Sequence, residues 1–464
     1  MPADSGPSEH LFVRRISVEE LFGRYTYDLR LPNTADSSRL LILYGDNGSG
    51  KTTLLCLVYY LLTSVEGRDY KGFVAKTPFR RLVIELGRGT ELVAERRGAE
   101  LVGAFRASIK RNNKTVCSLL FKVDKDNDVV PKTLGYQDQF TAFLNAVRQL
   151  RISLFFITDD RELLSNVVPS RGDEGIEIMP DEATVLHGRL WRRRRERKGI
   201  DIALEQAIRL ATDSTRQRVI SGTRQGEADA GTIYATIIRR LAHPSSKKDK
   251  KLPDIDTLIG LLRKQAERSA EFARFGLPSP RNIDKLAEAI KRARHSLPVI
   301  STVVQPYVDG IIARLDALQE VQQSIFAFVG TINSFYRDKT VQFDLEHGLT
   351  VTANGSHLRP TALSSGEKQL LLLFCNAMVA KDEATVVLID EPEMSLNIKW
   401  QRQLIPCLLE TSKKRNVQFI LATHSFELLA PYKSHVVQLV DAEAAAKHGP
   451  AASNASGTSS HLQA

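Results

Sequence analysis

Apolar positions along this chain change their spacing twice. Near the start they come in short bursts. Residues 14–16 and 25–31 predict two strands around the turn LFGR, and 40–44 is the unbroken apolar run of a strand buried on both faces. Residues 52–62 then predict a helix, and 81–86, 91–96, 115–123 and 152–157 predict further strands. From about Asp160 to Asp338 the spacing lengthens to that of helices joined by loops. The stretch 170–182 is rich in acid, Gly and Pro, and HPSSKKDKK at 243–251 is a second linker. Ile311, Leu315, Leu318, Val321, Ile325, Phe328, Ile332 and Phe335 recur by threes and fours, like a heptad repeat. Such a stripe fits one helix of a bundle, or else a short coiled-coil arm or a dimer contact. After 340 the early pattern returns, with strands at 341–345 and 349–353, a helix from Gly366, and strands at 385–389 and 417–422. From Ala442 to Ala464 the chain is mostly Ala, Ser, Gly and His, which predicts a disordered tail. The expected plan is an α/β core in two lobes, 1–159 and 340–441, split by a helical insertion at 160–339 and followed by a tail at 442–464.

Composition adds limits. The 464 residues are 42% hydrophobic and 25% charged, ordinary for a globular protein. The longest apolar run, Leu370 to Ala380, is interrupted by Asn376 and falls short of the roughly 20 residues a bilayer demands. The opening MPADSGPSEH has no basic start before an apolar stretch, so no secretory signal is expected. Cys56, Cys117, Cys375 and Cys407 are scattered without metal-ligand spacing, which fits a reducing cytoplasm. The net charge of +10 allows an acidic partner. The run Arg192–Arg195 suits either a solvated helix face or a contact to a nucleic-acid backbone.

Four motifs carry chemistry. Gly45, Asp46, Asn47, Gly48, Ser49, Gly50, Lys51, Thr52 and Thr53 match G-x-x-x-x-G-K-[ST] between an apolar strand and a helix, the context a P-loop requires. Its backbone N–H groups and the helix N-terminus suit the phosphates of ATP. Lys51 is expected to reach the β- and γ-phosphates, and Thr52 to place its hydroxyl on Mg²⁺. VVLIDEPE ends an apolar strand in Asp390, expected to hold Mg²⁺, and Glu391, expected to polarise the attacking water. LSSGEKQ at 363–369 and ATHS at 422–425 are less telling alone: an N-cap explains Ser364 or Ser365, and His424 could be structural.

Their order makes them telling together. The P-loop, LSSGE, LIDEPE, then SLN at 395–397 and ATHS form a series that resembles the ABC-type ATPases, in particular the soluble SMC/RecF/OLD-like branch. The likeness covers roughly 10–65 and 340–440. It implies a P-loop ABC-type core whose two copies meet head to tail over ATP. Lys51, Thr52, Asp390 and Glu391 would come from one copy, and Ser364 and Gly366 from the other. His424 would sense the γ-phosphate. Asn397 stands where the family often has Asp or His. Gln137, Gln139 and Gln149 are all open for the family's Q-loop glutamine.

The likeness also bears on role. The helical insertion is larger than that of a transporter subunit, and the stretch after His424 is not expected to hold the nuclease domain of OLD-type enzymes. Size and layout resemble the ATPase components of two-gene antiphage defence systems of the PARIS and Septu kinds. That implies a homo-oligomeric scaffold or sensor, a separately encoded TOPRIM-type or HNH-type effector nuclease, a phage protein as trigger and no membrane partner. A RecF- or SMC-like ATPase that clamps DNA in genome maintenance is the competing expectation.

Overall fold

The computed structural model describes residues 11–31, 39–65, 70–129, 136–160, 163–165, 192–242, 255–280, 282–292, 297–379, 384–413 and 415–439. The predicted loops at 170–182 and 243–251, the tail from 442 and the side chains of Arg192–Arg195 lie outside what is described.

Two six-stranded sheets form the α/β body. The antiparallel one consists of β1 (Val13–Leu21), β2 (Tyr25–Arg30), β4 (Arg81–Leu86), β5 (Thr90–Glu95), β6 (Phe105–Arg111) and β7 (Lys114–Phe121), in the order β2-β1-β4-β5-β6-β7. The other consists of β3 (Leu40–Tyr44), β8 (Ser153–Ile157), β9 (Leu163–Ser165), β13 (Thr385–Asp390), β14 (Val417–Thr423) and β15 (Val436–Gln438), ordered β15-β3-β14-β13-β8-β9. All its neighbours are parallel except β8 and β9. A third, three-stranded sheet is built from β10 (Lys339–Asp344), β11 (Gly348–Ala353) and β12 (Ser356–Leu358).

The parallel strands are mostly apolar because both of their faces are covered. Side chains alternate between faces with period two. Leu41, Leu43, Leu154, Phe156, Val386, Leu388 and Ile420 join one core with the antiparallel sheet and helix α1 (Lys51–Leu62). Leu40, Ile42, Phe155, Ile157, Val387, Ile389, Phe419 and Leu421 face the other way, into a core shared with the helical part. A buried amide ties the two sheets: Gln418 accepts from the Val13 N–H at 2.9 Å and donates to the Val13 carbonyl at 2.8 Å. Two further helices, α2 (Tyr70–Lys76) and α3 (Tyr136–Arg148), complete this side.

The helical part contains α4 (Arg192–Ala242), α5 (Ile255–Ala273), α6 (Ile283–Arg292) and α7 (Leu297–Phe335). Helices α4 and α7 approach so closely that two glycines have no room for a side chain. A Cβ on Gly222 would stand 2.8 Å from the Ala317 carbonyl oxygen, and one on Gly226 would stand 2.9 Å from the Arg314 Cα. The stripe from Ile311 to Phe335 is buried along its length and merges with the core beneath the parallel sheet. It therefore serves as one helix of a bundle, the first of its two readings. At its foot Phe335 meets Phe374 and Trp400 at ring-centroid distances of 6.0 Å. These rings join α7 to α8 (Ser365–Val379) and α9 (Ile398–Thr411), the helices that flank the site. The short α10 (Phe426–Leu429) follows β14.

Candidate functional site

Strands β3, β13 and β14 run parallel and end at one edge of their sheet, where open α/β sheets hold ligands. From β3 the chain turns through 45–50 into α1. Gly45 and Ser49 are buried, Gly50 half-buried, and Asp46, Asn47 and Gly48 form the exposed tip. Gly50 caps α1 at φ +88°, and a Cβ there would meet Leu21 at 3.0 Å and Phe22 at 3.1 Å. Only glycine fits that conformation without strain. No acid occupies the first turn of α1, which leaves its positive end free for an anion. Lys51 is buried, and its ammonium donates to the carbonyls of Gly45 at 2.8 Å and Asp46 at 3.2 Å. Thr52 is exposed at the start of α1 and Thr53 half-buried beside it.

Asp390 ends β13, 2% exposed. Neither of its carboxylate oxygens has a hydrogen-bond partner within ordinary distance and angle limits among the described residues. Burial pushes its pKa up to about 6; the nearby Thr52 hydroxyl pulls it down, and the Asp159 charge raises it again. A buried carboxylate next to a threonine hydroxyl suits a hard divalent cation with oxygen ligands. Glu391 follows at φ +46°, a left-handed conformation that costs a non-glycine residue on the order of 1–3 kcal/mol and clusters at functional sites. Its Oε1 lies 4.0 Å from Lys51 Nζ and its Oε2 2.5 Å from His424 Nδ1. Burial, then the adjoining Glu393, raise the Glu391 carboxyl well above the usual range, against the pull of His424. The His424 ring is 55% exposed, so it stays open on its far side.

The structure thus brings Lys51, Thr52, Asp390, Glu391 and His424 together. Ser364 and Gly366 make their contacts elsewhere: among the described residues neither bonds to the P-loop. Ser364 is exposed and forms a capping box. Its N–H and hydroxyl donate to Glu367 at 2.8 and 2.7 Å, and Lys339 holds the same carboxylate at 2.7 Å. Gly366 is buried against the loop after β13. Asn397 accepts from the Trp400 N–H at 3.0 Å and caps α9. Gln137, Gln139 and Gln149 are exposed on or just after α3.

Three residues that motif reading passed over complete the frame. Glu393 is buried and accepts from the N–H groups of His424 at 3.1 Å and Ser425 at 3.0 Å, and from the Thr423 hydroxyl. Gln369 donates to the Pro392 carbonyl at 3.1 Å. Gln401 donates to the Leu396 carbonyl at 3.0 Å and accepts from the Ser425 hydroxyl at 3.0 Å. The one signal in the sequence was a third acid placed after Pro392 within LIDEPE.

A P-loop with an acidic strand end and a histidine beside it has the make-up of a nucleotide-phosphate site of the P-loop kind. The chain belongs to the family described as "AAA domain, putative AbiEii toxin, Type IV TA system", which matches residues 180–430. That match takes in the motifs around Ser364, Asp390 and His424. Among curated proteins, the "Retron Ec83 probable ATPase" of Escherichia coli is 28% identical over 160 residues, 32% of this chain and 28% of that protein. The "Dipeptide transport ATP-binding protein DppD" of Escherichia coli (strain K12) is 27% identical over 133 residues, 27% of this chain and 40% of that protein. The chain thus spans less than half the length of these curated relatives. Among solved structures, an Smc head domain with an extended coiled coil, from Pyrococcus furiosus, aligns over 93% of this chain and 94% of that one, with 14% identity and a TM-score of 0.37. No helix among the described residues is long and apolar enough to cross a membrane.

Proposed function

We propose that this protein binds Mg–ATP at the P-loop edge and hydrolyses it in a site completed by a second copy. The observation that carries the reading is the pairing of the buried Asp390 carboxylate, beside the Thr52 hydroxyl, with Glu391 and His424 in contact beside Lys51. Thr52 and Asp390 would hold Mg²⁺, which would neutralise charge on the phosphates. Lys51 exchanges two loop carbonyls for phosphate oxygens, and the first turn of α1 adds its N–H groups. Glu391 takes the proton of the attacking water, and His424 orients Glu391 and meets the γ-phosphate. The exposed Ser364 and the N-terminus of α8 would face the γ-phosphate of the opposite copy, so closure lasts only while that phosphate is intact. The lobes 1–159 and 340–441 would form the ATPase and 160–339 its helical insertion.

The test is phosphate release from Mg–ATP. Lys51→Ala should weaken nucleotide binding on the order of 100-fold, the scale of lost charge-assisted hydrogen bonds. Glu391→Gln should bind ATP and retain it. Unchanged affinity in the first, or normal turnover in the second, would refute these roles.

We further propose that the ATPase is the scaffold or sensor of a two-component antiphage defence system of the PARIS kind, holding a separately encoded nuclease until triggered. Family membership and likeness to a retron ATPase support this reading. Co-purification of the product of a neighbouring nuclease gene, released on infection, is the expected result. ATP hydrolysis stimulated by DNA and lost in salt would favour the genome-maintenance reading instead.

A further inference from the structure

Glu393 is a buried carboxylate that the hydrolytic scheme leaves without a task. It stands two residues beyond Glu391, on the turn that follows β13. Its Oε1 gathers the Thr423 hydroxyl and the N–H groups of His424 and Ser425, three donors from the end of β14 and the turn after it. The same oxygen is 3.6 Å from His424 Nδ1. The β13–β14 pairing alone fixes the strands only as far as Asp390 opposite Ala422. Beyond that point the two turns are joined by the Glu391 N–H donating to the Ala422 carbonyl at 2.8 Å and by the Glu393 carboxylate. Burying a carboxylate is costly unless donors surround it; Oε1 has three, while Oε2 has none within ordinary limits among the described residues.

We propose that Glu393 is a positioning residue of the hydrolysis step. It locks the 423–425 turn so that the His424 ring is set against Glu391. The inference rests on the proposed ATPase roles of Glu391 and His424. Glu393 acts through His424 and touches neither nucleotide nor water. What it supplies is an acceptor for three donors, a task that a glutamine carbonyl can also perform.

The test compares Glu393→Ala, Glu393→Gln, His424→Ala and the double variant Glu393→Ala/His424→Ala with the unmodified protein, each checked for an intact thermal transition. ATP affinity is read with a fluorescent ATP analogue in Mg²⁺, and kcat by phosphate release. Glu393→Ala should lose about 10- to 100-fold in kcat, the range seen when a supporting partner of a site residue is removed, while ATP affinity stays put. Glu393→Gln should recover most of that loss. In the His424→Ala background, Glu393→Ala should cost almost nothing more, because both changes remove one interaction. Full kcat in Glu393→Ala, no recovery in Glu393→Gln, or additive losses in the double variant would each overturn the proposal. If His424→Ala and Glu391→Gln themselves turn over normally, the ATPase roles fail first and the positioning role falls with them.

Discussion

A Cβ on Gly366 would stand 2.6 Å from the carbonyl oxygen of Ser395. The helix that Ser364 caps is thereby seated directly on the loop that follows Glu391. Gln369 on the same helix reinforces the seat through the Pro392 carbonyl. Helix α8 and the turn that holds the proposed base are therefore packed directly on one another.

Gly366→Ala tests that seat. Alanine is the better helix former by about 1 kcal/mol, so a simple propensity effect would stabilise the protein. The contact is to backbone, which cannot swing aside, and overpacking of this kind costs about 1–3 kcal/mol. The expected outcome is a lower melting temperature and reduced hydrolysis. A higher melting temperature with normal hydrolysis would show that the loop yields freely.

Asp390 predicts a conflict between stability and function. Its folded-state pKa is raised, mainly by burial, to about 6 from an ordinary 3.8. Below about pH 4 both folded and unfolded chains hold the proton and nothing is lost. As pH rises through that window the unfolded chain ionises first, so the stability of the nucleotide-free protein falls, then levels above about pH 6. Asp390→Asn should therefore stabilise the nucleotide-free protein at pH 8 by on the order of 1–3 kcal/mol. The gain should vanish near pH 4, and hydrolysis should be lost at every pH. Denaturant unfolding of both proteins across this range, without Mg²⁺, measures it.

Gly226 predicts a cost far from the site. It lies against the Arg314 Cα of α7, with the Ala317 Cβ 3.4 Å from where its own Cβ would be. Gly226→Leu should force α4 and α7 apart and destabilise the bundle by about 1–3 kcal/mol or more. Because Phe335 at the foot of α7 packs on α8 and α9, circular dichroism melting and hydrolysis should both respond. An unchanged melting temperature would mean that the two helices are not rigidly packed there.

Legibility in the sequence followed how local each feature is. The span 40–44 and the P-loop need only their own residues: an apolar run, two glycines at positive φ and a lysine. β6 was passed over because Arg106, Ser108 and Lys110 interrupt it, although Phe105, Ala107 and Ile109 alternate with them and are buried. The stripe on α7 was visible, but its spacing could not say whether a second copy or α4 covers it. The part played by Glu393 could not be read locally at all. It depends on a turn about 30 residues later, brought near by a parallel strand pairing that leaves no mark between the two segments. Gln137, Gln139 and Gln149 lie on or just after α3, while β8 runs beside β13 and the charge of Asp159, just past its end, bears on Asp390.

Mixing two inactive variants tests the central claim most directly, since Lys51 and Ser364 are proposed to serve one site from different copies. Lys51→Ala and Ser364→Arg are each predicted to hydrolyse almost no ATP alone. Mixed in equal amounts, random pairing of a two-fold dimer should restore roughly a quarter of normal activity, because half the pairs carry one intact site. A mixture no more active than the sum of its parts would contradict a site shared between copies.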